Sequence, residues 1–172
     1  QLFDGHAFAE AAVKAGAVAL LTEHELPLSV PQIIVKNARK AMAEMAAAFY
    51  GYPQREMQML GVPGTNGKTT TTYLLKHLLE HTLGAKVGLV GTNGNMIGDE
   101  FIHTERTTPE SYELQQLFRE MADAGCTHVV MEVSSHSLVL HRVAGIHFAV
   151  GAFTNLTQDH LDFHHTMDEY AK

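Results

Sequence analysis

Two kinds of apolar pattern alternate along this chain. Short, nearly uninterrupted apolar runs are separated by longer stretches in which apolar residues return every third or fourth position. The runs Met57 to Val62, Lys86 to Gly91, Thr127 to Val133 and Phe148 to Thr154 read as strands. The last two are apolar enough for the centre of a parallel sheet. Between them, Thr69 to Leu83 reads as a helix, with Tyr73, Leu74, Leu75, Leu78 and Leu79 forming its apolar face. A second helix is predicted from Pro109 to Ala124, capped by Thr108 and ended by Gly125. Thr92 to Arg106 is a glycine-rich polar connection with room for a small hairpin.

The earlier part of the chain repeats the alternation on a smaller scale. A helix is predicted over Ala7 to Ala15, with Phe8, Ala11, Ala12 and Ala15 on one face. A buried strand follows over Ala17 to Leu21, and a further strand over Gln32 to Val35. Asn37 is placed to cap a helix over Ala38 to Tyr50, which Gly51-Tyr52-Pro53 stops. The expected fold class is α/β. Residues 1–55 read as part of a small N-terminal α/β domain. A linker near 52–57 leads to residues 56–172, part of a doubly wound domain with a mostly parallel sheet.

The strand ending at Val62 and the helix beginning at Thr69 enclose Gly64-Thr65-Asn66-Gly67-Lys68-Thr69-Thr70. Strand, glycine loop and helix are the context of a phosphate-binding loop, so the second domain reads as a P-loop ATPase domain. The glycines let backbone N–H groups turn toward phosphate oxygens, and the helix N-terminus adds partial positive charge. Lys68 is the group expected to reach the β and γ phosphates of ATP, and Thr69 the hydroxyl expected on Mg²⁺. The general pattern asks for a glycine where Val62 stands; glycines lie instead at 61 and 64.

Ligand sites in such sheets lie at the carboxyl ends of strands, and the polar residues of this chain fall there. Besides the loop, these are Glu132-Val133-Ser134-Ser135-His136 and Asn155 to His160. Glu132 sits inside an apolar strand, where a carboxylate is costly unless paired or bound to metal. It reads as a Mg²⁺ ligand in preference to a side chain that reaches solvent. His160 and His164 are four apart and on a helix would share a face. A zinc hydrolase is nonetheless a weak reading, because the H-E-x-x-H pattern is absent and no cysteine assists. His136, His141 and His147 carry no spacing signal and read as structural or solvated.

Composition narrows the classes. The 172 residues are 45% hydrophobic and 18% charged, as in a globular chain. A net charge of −7 without a Lys/Arg stripe argues against a nucleic-acid partner. No apolar run approaches the roughly 18 residues of a membrane span. The single cysteine, Cys126, suits a reducing cytosol and reads as a packed residue ahead of a strand, so a cytoplasmic location is expected. A monomer is the default expectation. The chain begins without methionine and stops inside a predicted helix, which reads as a fragment.

Four motifs together resemble the Mur ligases of peptidoglycan synthesis, and most closely their MurE type. They are the phosphate loop from Gly61 to Thr69, Thr107-Thr108-Pro109-Glu110, Met131-Glu132-Val133-Ser134-Ser135-His136, and Thr154-Asn155-Leu156 through Asp159-His160-Leu161-Asp162 to His164. The order and spacing match over nearly the whole chain. Residues 1–55 resemble the end of the UDP-substrate-binding domain, including the Asp4-Gly5-His6-x-Phe8 turn, with Gln1 to Phe3 at the edge of its uridine pocket. The rest resembles the first half of the central ATP-binding domain; the C-terminal domain has no counterpart here.

The resemblance implies an ATP-dependent ligase. It phosphorylates the D-glutamate carboxylate of UDP-MurNAc-L-Ala-D-Glu, then joins the acyl phosphate to the amine of a diamino acid, meso-diaminopimelate being the commoner in the family. Gly64 to Thr70 then bind ATP, Thr69 and Glu132 hold Mg²⁺, and His160 binds a second metal. Lys68, Glu132 and His160 carry the catalysis. Thr107, Thr108, Ser134 and Arg142 contact the substrate, and a guanidinium such as that of Arg142 suits two-point binding of a carboxylate.

The chain departs from the pattern at Arg106, Leu140 and Pro63, where some members carry asparagine, glutamine and threonine. The family's carbamylated lysine falls just beyond Lys172, so residues 1–172 alone are expected to be inactive as a ligase. The rival readings are another Mur or folylpolyglutamate-type ligase, and a non-catalytic P-loop nucleotide-binding module.

Overall fold

A computed structural model describes residues 4–171. The expected uridine-pocket edge at Gln1 to Phe3 lies outside them, as does Lys172. Six of the strands are the runs that the apolar pattern singles out or their near neighbours: β1 (Leu20–Thr22), β2 (Gln32–Ile34), β3 (Gln58–Pro63), β4 (Val87–Val90) and, after the hairpin β5 (Asn95–Ile97) and β6 (Glu100–Ile102), β7 (His128–Val133) and the short β8 (Val150–Gly151). The longer helices are α1 (Ala9–Lys14), α2 (Ala38–Phe49), α3 (Lys68–Leu83) and α4 (Ser111–Asp123); α5 (Ser135–Val139), α6 (Leu161–His164) and α7 (Met167–Tyr170) are short.

The larger sheet has the order β6-β5-β4-β7-β3-β8, with β4, β7, β3 and β8 parallel and the hairpin antiparallel. The chain moves from β3 past the position of β7 to β4, then back to β7. Because such crossovers are right-handed, the two moves put α3 and α4 on opposite faces. Alternation along the strands serves both. Val129, Met131 and Val133 of β7 pack with Leu114, Leu117, Phe118 and Met121 of α4. Val130, with Val62 and Val87, packs with Leu75 and Leu79 of α3. The result is an α/β fold with a mostly parallel sheet, buried on both faces at its centre.

Several expectations are corrected. Only Leu75 and Leu79 of the predicted α3 stripe meet the sheet; Leu74 and Leu78 are exposed, and the buried stripe is completed by Thr72 and Lys76, the latter paired with Glu80. The cap of α4 is Glu110 instead of Thr108, and the Glu113 side chain accepts from the Glu110 backbone N–H at 3.0 Å. Thr108 is instead turned inward. The run Phe148 to Thr154 is not a central strand, since among the described residues β8 is the edge and Val150 and Phe153 are exposed. Its backbone still pairs along β3, with Ala149, Ala152 and Thr154 donating to the carbonyls of Met59, Gly61 and Pro63.

Residues 4–50 form less regular structure than predicted. A 3-10 turn over Gly5–Phe8 precedes α1, and of α1 only Ala9 is buried. The strand expected from Ala17 begins at Leu20, leaving Val18 exposed, because β1 and β2 form a two-stranded parallel sheet with little to cover it. Asn37 does cap α2, accepting from Lys40 N at 2.9 Å, and Ala43, Ala46 and Ala47 are its buried face. The expected linker is a packed corner. Pro53, Gln54 and Met57 are buried, and Arg119 of α4 grips Glu56 through two bonds of 2.6 and 3.1 Å.

Candidate active site

The loop after β3 is built by conformations that side chains resist. Gly64 has φ +133° and Gly67 φ +83°. A Cβ on Gly64 would collide with Thr154 Oγ1 and crowd the Asn155 backbone. This close approach lets the segment after β8 brace the loop. Thr65 N donates to Asn155 O at 2.9 Å, Asn66 N to Asn155 Oδ1 at 3.1 Å, and Asn66 Nδ2 to Thr157 Oγ1 at 3.0 Å. Thr65 Oγ1 also meets Tyr170 Oη at 2.9 Å. Lys68 opens α3 and folds back over the loop, its Nζ donating to Gly64 O and Thr65 O, each at 2.8 Å.

The carboxyl end of β7 supplies the facing wall. Glu132 is fully buried. Its carboxylate accepts from Thr92 N at 2.9 Å and Thr92 Oγ1 at 3.0 Å. A Cβ on Gly91 would meet Glu132 Oε1 at 2.5 Å, so a glycine there makes room for this carboxylate. Thr108, also buried, donates to Glu132 O at 2.9 Å and accepts from Ser134 N at 3.2 Å. Its hydroxyl therefore ties the 107–110 segment to the end of β7. Ser134 caps α5, accepting from Ser137 N at 3.2 Å. Arg142 is mostly buried; Nη2 pairs with Glu110 Oε1 at 2.7 Å and Nη1 donates to Thr108 O at 3.2 Å.

These walls enclose a polar cavity of about 590 Å³. It is lined by Thr65, Asn66, Gly67, Lys68 and Thr69 from the loop, by Thr107, Thr108, Glu132, Ser134 and Arg142 opposite, and by His160. Of the residues picked from the sequence, Gly64 and Thr70 do not line it: Gly64 acts through backbone geometry, and Thr70 is exposed. The expected helical pairing of His160 with His164 is not what forms. His160 precedes α6 with a left-handed backbone (φ +52°) and faces the cavity, whereas His164 is buried against Ser135 Oγ at 2.8 Å.

His136, read from the sequence as structural or solvated, lies in the cavity wall with its ring edge-on to His160 at 4.9 Å. Burial, and then the neighbouring His160 and His164, push its imidazole below the ordinary histidine range. Thr92 was missed altogether, although it follows β4 at the same carboxyl-end layer. Arg106, one of the departures, lines the cavity and pairs with Glu113 at 3.3 Å. Cys126 is buried away from this site, and burial raises its thiol.

Charge and geometry suit a nucleotide triphosphate with a divalent cation. Loop N–H groups, Lys68 and the start of α3 offer positive potential on one side, and a carboxylate stands opposite. Each Glu132 oxygen keeps a lone pair beyond its bond to Thr92, so it can still meet a cation. Among the described residues no three His, Cys, Asp or Glu side chains cluster to hold a metal by themselves. That is compatible with a hard cation such as Mg²⁺, which keeps waters and shares its coordination with phosphates.

A second, larger cavity of about 1180 Å³ adjoins the first. Its walls are mainly apolar, including Phe8, Leu20, Leu21, Met42, Met45 and Phe49, with Glu110, Tyr112 and Leu140 from the other side. Asp4 and His6 stand at its edge, joined at 2.6 Å. Glu110 belongs to this cavity and touches the first through Arg142. No helix among the described residues is long and apolar enough to cross a membrane.

Residues 62–172 match the family model described as the Mur ligase middle domain. Among curated proteins, the chain is 53% identical over 171 residues to a UDP-N-acetylmuramoyl-L-alanyl-D-glutamate–2,6-diaminopimelate ligase of Caldanaerobacter subterraneus subsp. tengcongensis, covering 98% of this chain and 35% of that protein. It is 48% identical to the enzyme of the same name from Listeria innocua, covering 99% of this chain and 35% of that protein. A solved structure of a ligase with this name superposes with a TM-score of 0.82 at 32% identity, over 96% of this chain and 33% of that one. The MurF ligase of Thermotoga maritima, solved with ADP, shares the fold at a TM-score of 0.59 and 24% identity, over 98% of this chain and 36% of that one. The chain thus spans about a third of the length of the curated relatives it matches.

Proposed function

This chain belongs to the Mur ligase family, and from that premise we propose that it forms part of an ATP-dependent amide ligase adding meso-diaminopimelate to UDP-MurNAc-L-Ala-D-Glu. The carrying observation is the convergence of Lys68, Thr69, Glu132, Arg142 and His160 on one polar cavity. In this reading residues 1–55 contribute to the UDP-substrate domain and residues 56–172 to the ATP-binding domain.

ATP lies with its phosphates on the loop from Gly64 to Thr70, and Lys68 exchanges its bonds to the Gly64 and Thr65 carbonyls for phosphate oxygens. Thr69 and Glu132 would hold Mg²⁺, and His160 would hold a second metal. Bound there, the ions would supply charge neutralisation at the transferring phosphoryl group. Thr107, Thr108, Ser134 and Arg142 line the wall facing Lys68, and the wide apolar cavity next to it gives the bulky substrate a path to them.

Arg142 orients the D-glutamate carboxylate. One of its oxygens attacks the γ-phosphorus as the bond to the ADP oxygen breaks. The diamino-acid amine then attacks the acyl carbon, the bond from that carbon to the bridging oxygen breaks so that phosphate leaves with it, and the amine nitrogen gives up a proton to solvent as the amide forms. The protein's part is orientation and electrostatics; no covalent enzyme intermediate is needed.

The higher structural likeness to the diaminopimelate ligase than to the MurF ligase favours this reading over other ligases of the family. The test is mass-spectrometric detection of UDP-MurNAc-tripeptide and ADP in equal amounts from the full-length protein with UDP-MurNAc-L-Ala-D-Glu, ATP, Mg²⁺ and diaminopimelate. ATP binding without any tripeptide would leave a nucleotide-binding module instead.

A further inference from the structure

Arg142 is held by a residue that does not belong to its own cavity. Glu110 lines the second cavity and not the first, while Arg142 lines the first and not the second. The two side chains, 26% and 15% exposed, meet at 2.7 Å across the partition. Glu110 Oε2 also accepts from Arg39 Nη1 of α2 at 3.4 Å. Glu110 caps α4, where the helix N-terminus favours a negative charge and the Glu113 side chain fixes the Glu110 backbone.

A mostly buried guanidinium needs a counter-charge in good geometry. Glu110 takes one N–H of Nη2, and Thr108 O takes one of Nη1. Each of those nitrogens has a second N–H, so the guanidinium can still meet an anion from the first cavity. A carboxylate approaching from behind at a fixed helix end therefore sets where that face of Arg142 stands.

We propose that Glu110 is a positioning residue for the ligase reaction: it holds Arg142 in the wall of the nucleotide cavity and, through Arg39, ties that position to α2 and the second cavity. The inference rests on the ligase reading above. Glu110 touches neither ATP nor the reacting atoms; it acts through Arg142 on the acidic substrate.

The experiment is steady-state tripeptide formation by the full-length protein. Glu110→Gln keeps the shape and removes the charge. It is expected to raise KM for UDP-MurNAc-L-Ala-D-Glu about 10-fold, the scale of one lost charge-assisted bond, with KM for ATP unchanged. Arg39→Ala should raise the same KM by a smaller factor, about 2-fold, as for a more exposed pair. In an Arg142→Ala background, Glu110→Gln should add nothing further to KM. If Glu110→Gln lowers the melting temperature, Glu110→Asp takes its place, keeping the charge but withdrawing it from Arg142, with the same direction expected. An unchanged substrate KM in both Glu110 variants, or a full additional effect without Arg142, overturns the proposal. Wild-type protein that makes no tripeptide overturns the ligase reading itself. An Arg142→Ala effect without a Glu110 effect removes only this inference.

Discussion

The two cavities are made in opposite ways. The first is polar, about half the volume of the second, and lined largely by residues at the carboxyl ends of β3, β4 and β7. Its side chains are held by named hydrogen bonds: Glu132 by Thr92, Lys68 by loop carbonyls, Thr108 by the end of β7. The second is mainly apolar and lies between α1, α2 and the two-stranded sheet on one side and α4 with the 139–141 turn on the other. Phe8, Met45 and Phe49 stand half or more exposed on its walls. In the proposed reading, the site that stabilises charge is built on the most buried strands, whereas the surface that admits a large substrate stays open. The pairs Glu110–Arg142 and Glu110–Arg39 join the two.

The largest expected difference is in activity. Lys68→Ala removes the phosphate loop's own cation from the first cavity and should lower kcat/KM of the full-length enzyme about 10³-fold, the upper scale for losing one transition-state donor. The measurement is initial-rate ADP release with saturating acidic substrate; a loss under tenfold would contradict the role given to Lys68. A change in the second cavity, Phe49→Ala, should leave turnover of ATP nearly intact.

Stability should divide the molecule the same way. Phe118→Ala empties the fully buried centre of the α4 face and should cost about 3–5 kcal/mol in urea unfolding. Phe49→Ala, at a residue 77% exposed, should cost no more than about 0.5 kcal/mol. Comparable losses at the two positions would mean that the second cavity is part of the core.

Gly64→Ala tests the brace between the loop and the segment carrying His160. Both the positive φ and the approach of Thr154 oppose a side chain, so a cost of about 1–3 kcal/mol is expected, together with weaker nucleotide binding by calorimetry. Wild-type affinity in this variant would show that the loop does not need the close contact with Thr154 and Asn155.

The smallest effect concerns His136. Its folded-state pKa lies below the ordinary value of 6.5, because burial and nearby histidines disfavour the imidazolium. The unfolded chain therefore binds the proton first, and stability falls as pH drops from 6.5 toward the folded pKa. The melting temperature of the wild type should fall more steeply below pH 6.5 than that of His136→Gln. Parallel profiles would remove the effect.

How much of this was legible in the chain follows from the same contrast. Lys68, Thr69 and Glu132 could be placed because each is local: a loop between a strand and a helix, and a carboxylate inside an apolar run. The parallel strands and the capped helix α2 were legible for that reason too. His160 was singled out and does line the cavity, but its left-handed backbone was not foreseen, since an i,i+4 spacing says nothing about where a helix begins. Tyr170 lies 105 positions from the Thr65 hydroxyl it meets, and Glu110 lies 71 from Arg39; no local pattern links such pairs. His136 looked ordinary because its significance comes from the neighbours the fold gives it. The second cavity was invisible for the same reason, being the space left between elements that each looked like simple packing surfaces. Leu74 and Leu78 misled in the other direction, since an apolar residue beside the buried stripe of a helix need not face the core.

The central claim is that the first cavity holds the triphosphate and its metal. It is tested most directly by a crystal structure of the full-length protein with Mn²⁺ and a non-hydrolysable ATP analogue, read by the anomalous signal of the metal. The account predicts a peak between the Thr69 hydroxyl and the Glu132 carboxylate, with Lys68 turned from the Gly64 and Thr65 carbonyls to the phosphates. Nucleotide bound elsewhere, or a metal peak away from both Thr69 and Glu132, would contradict it.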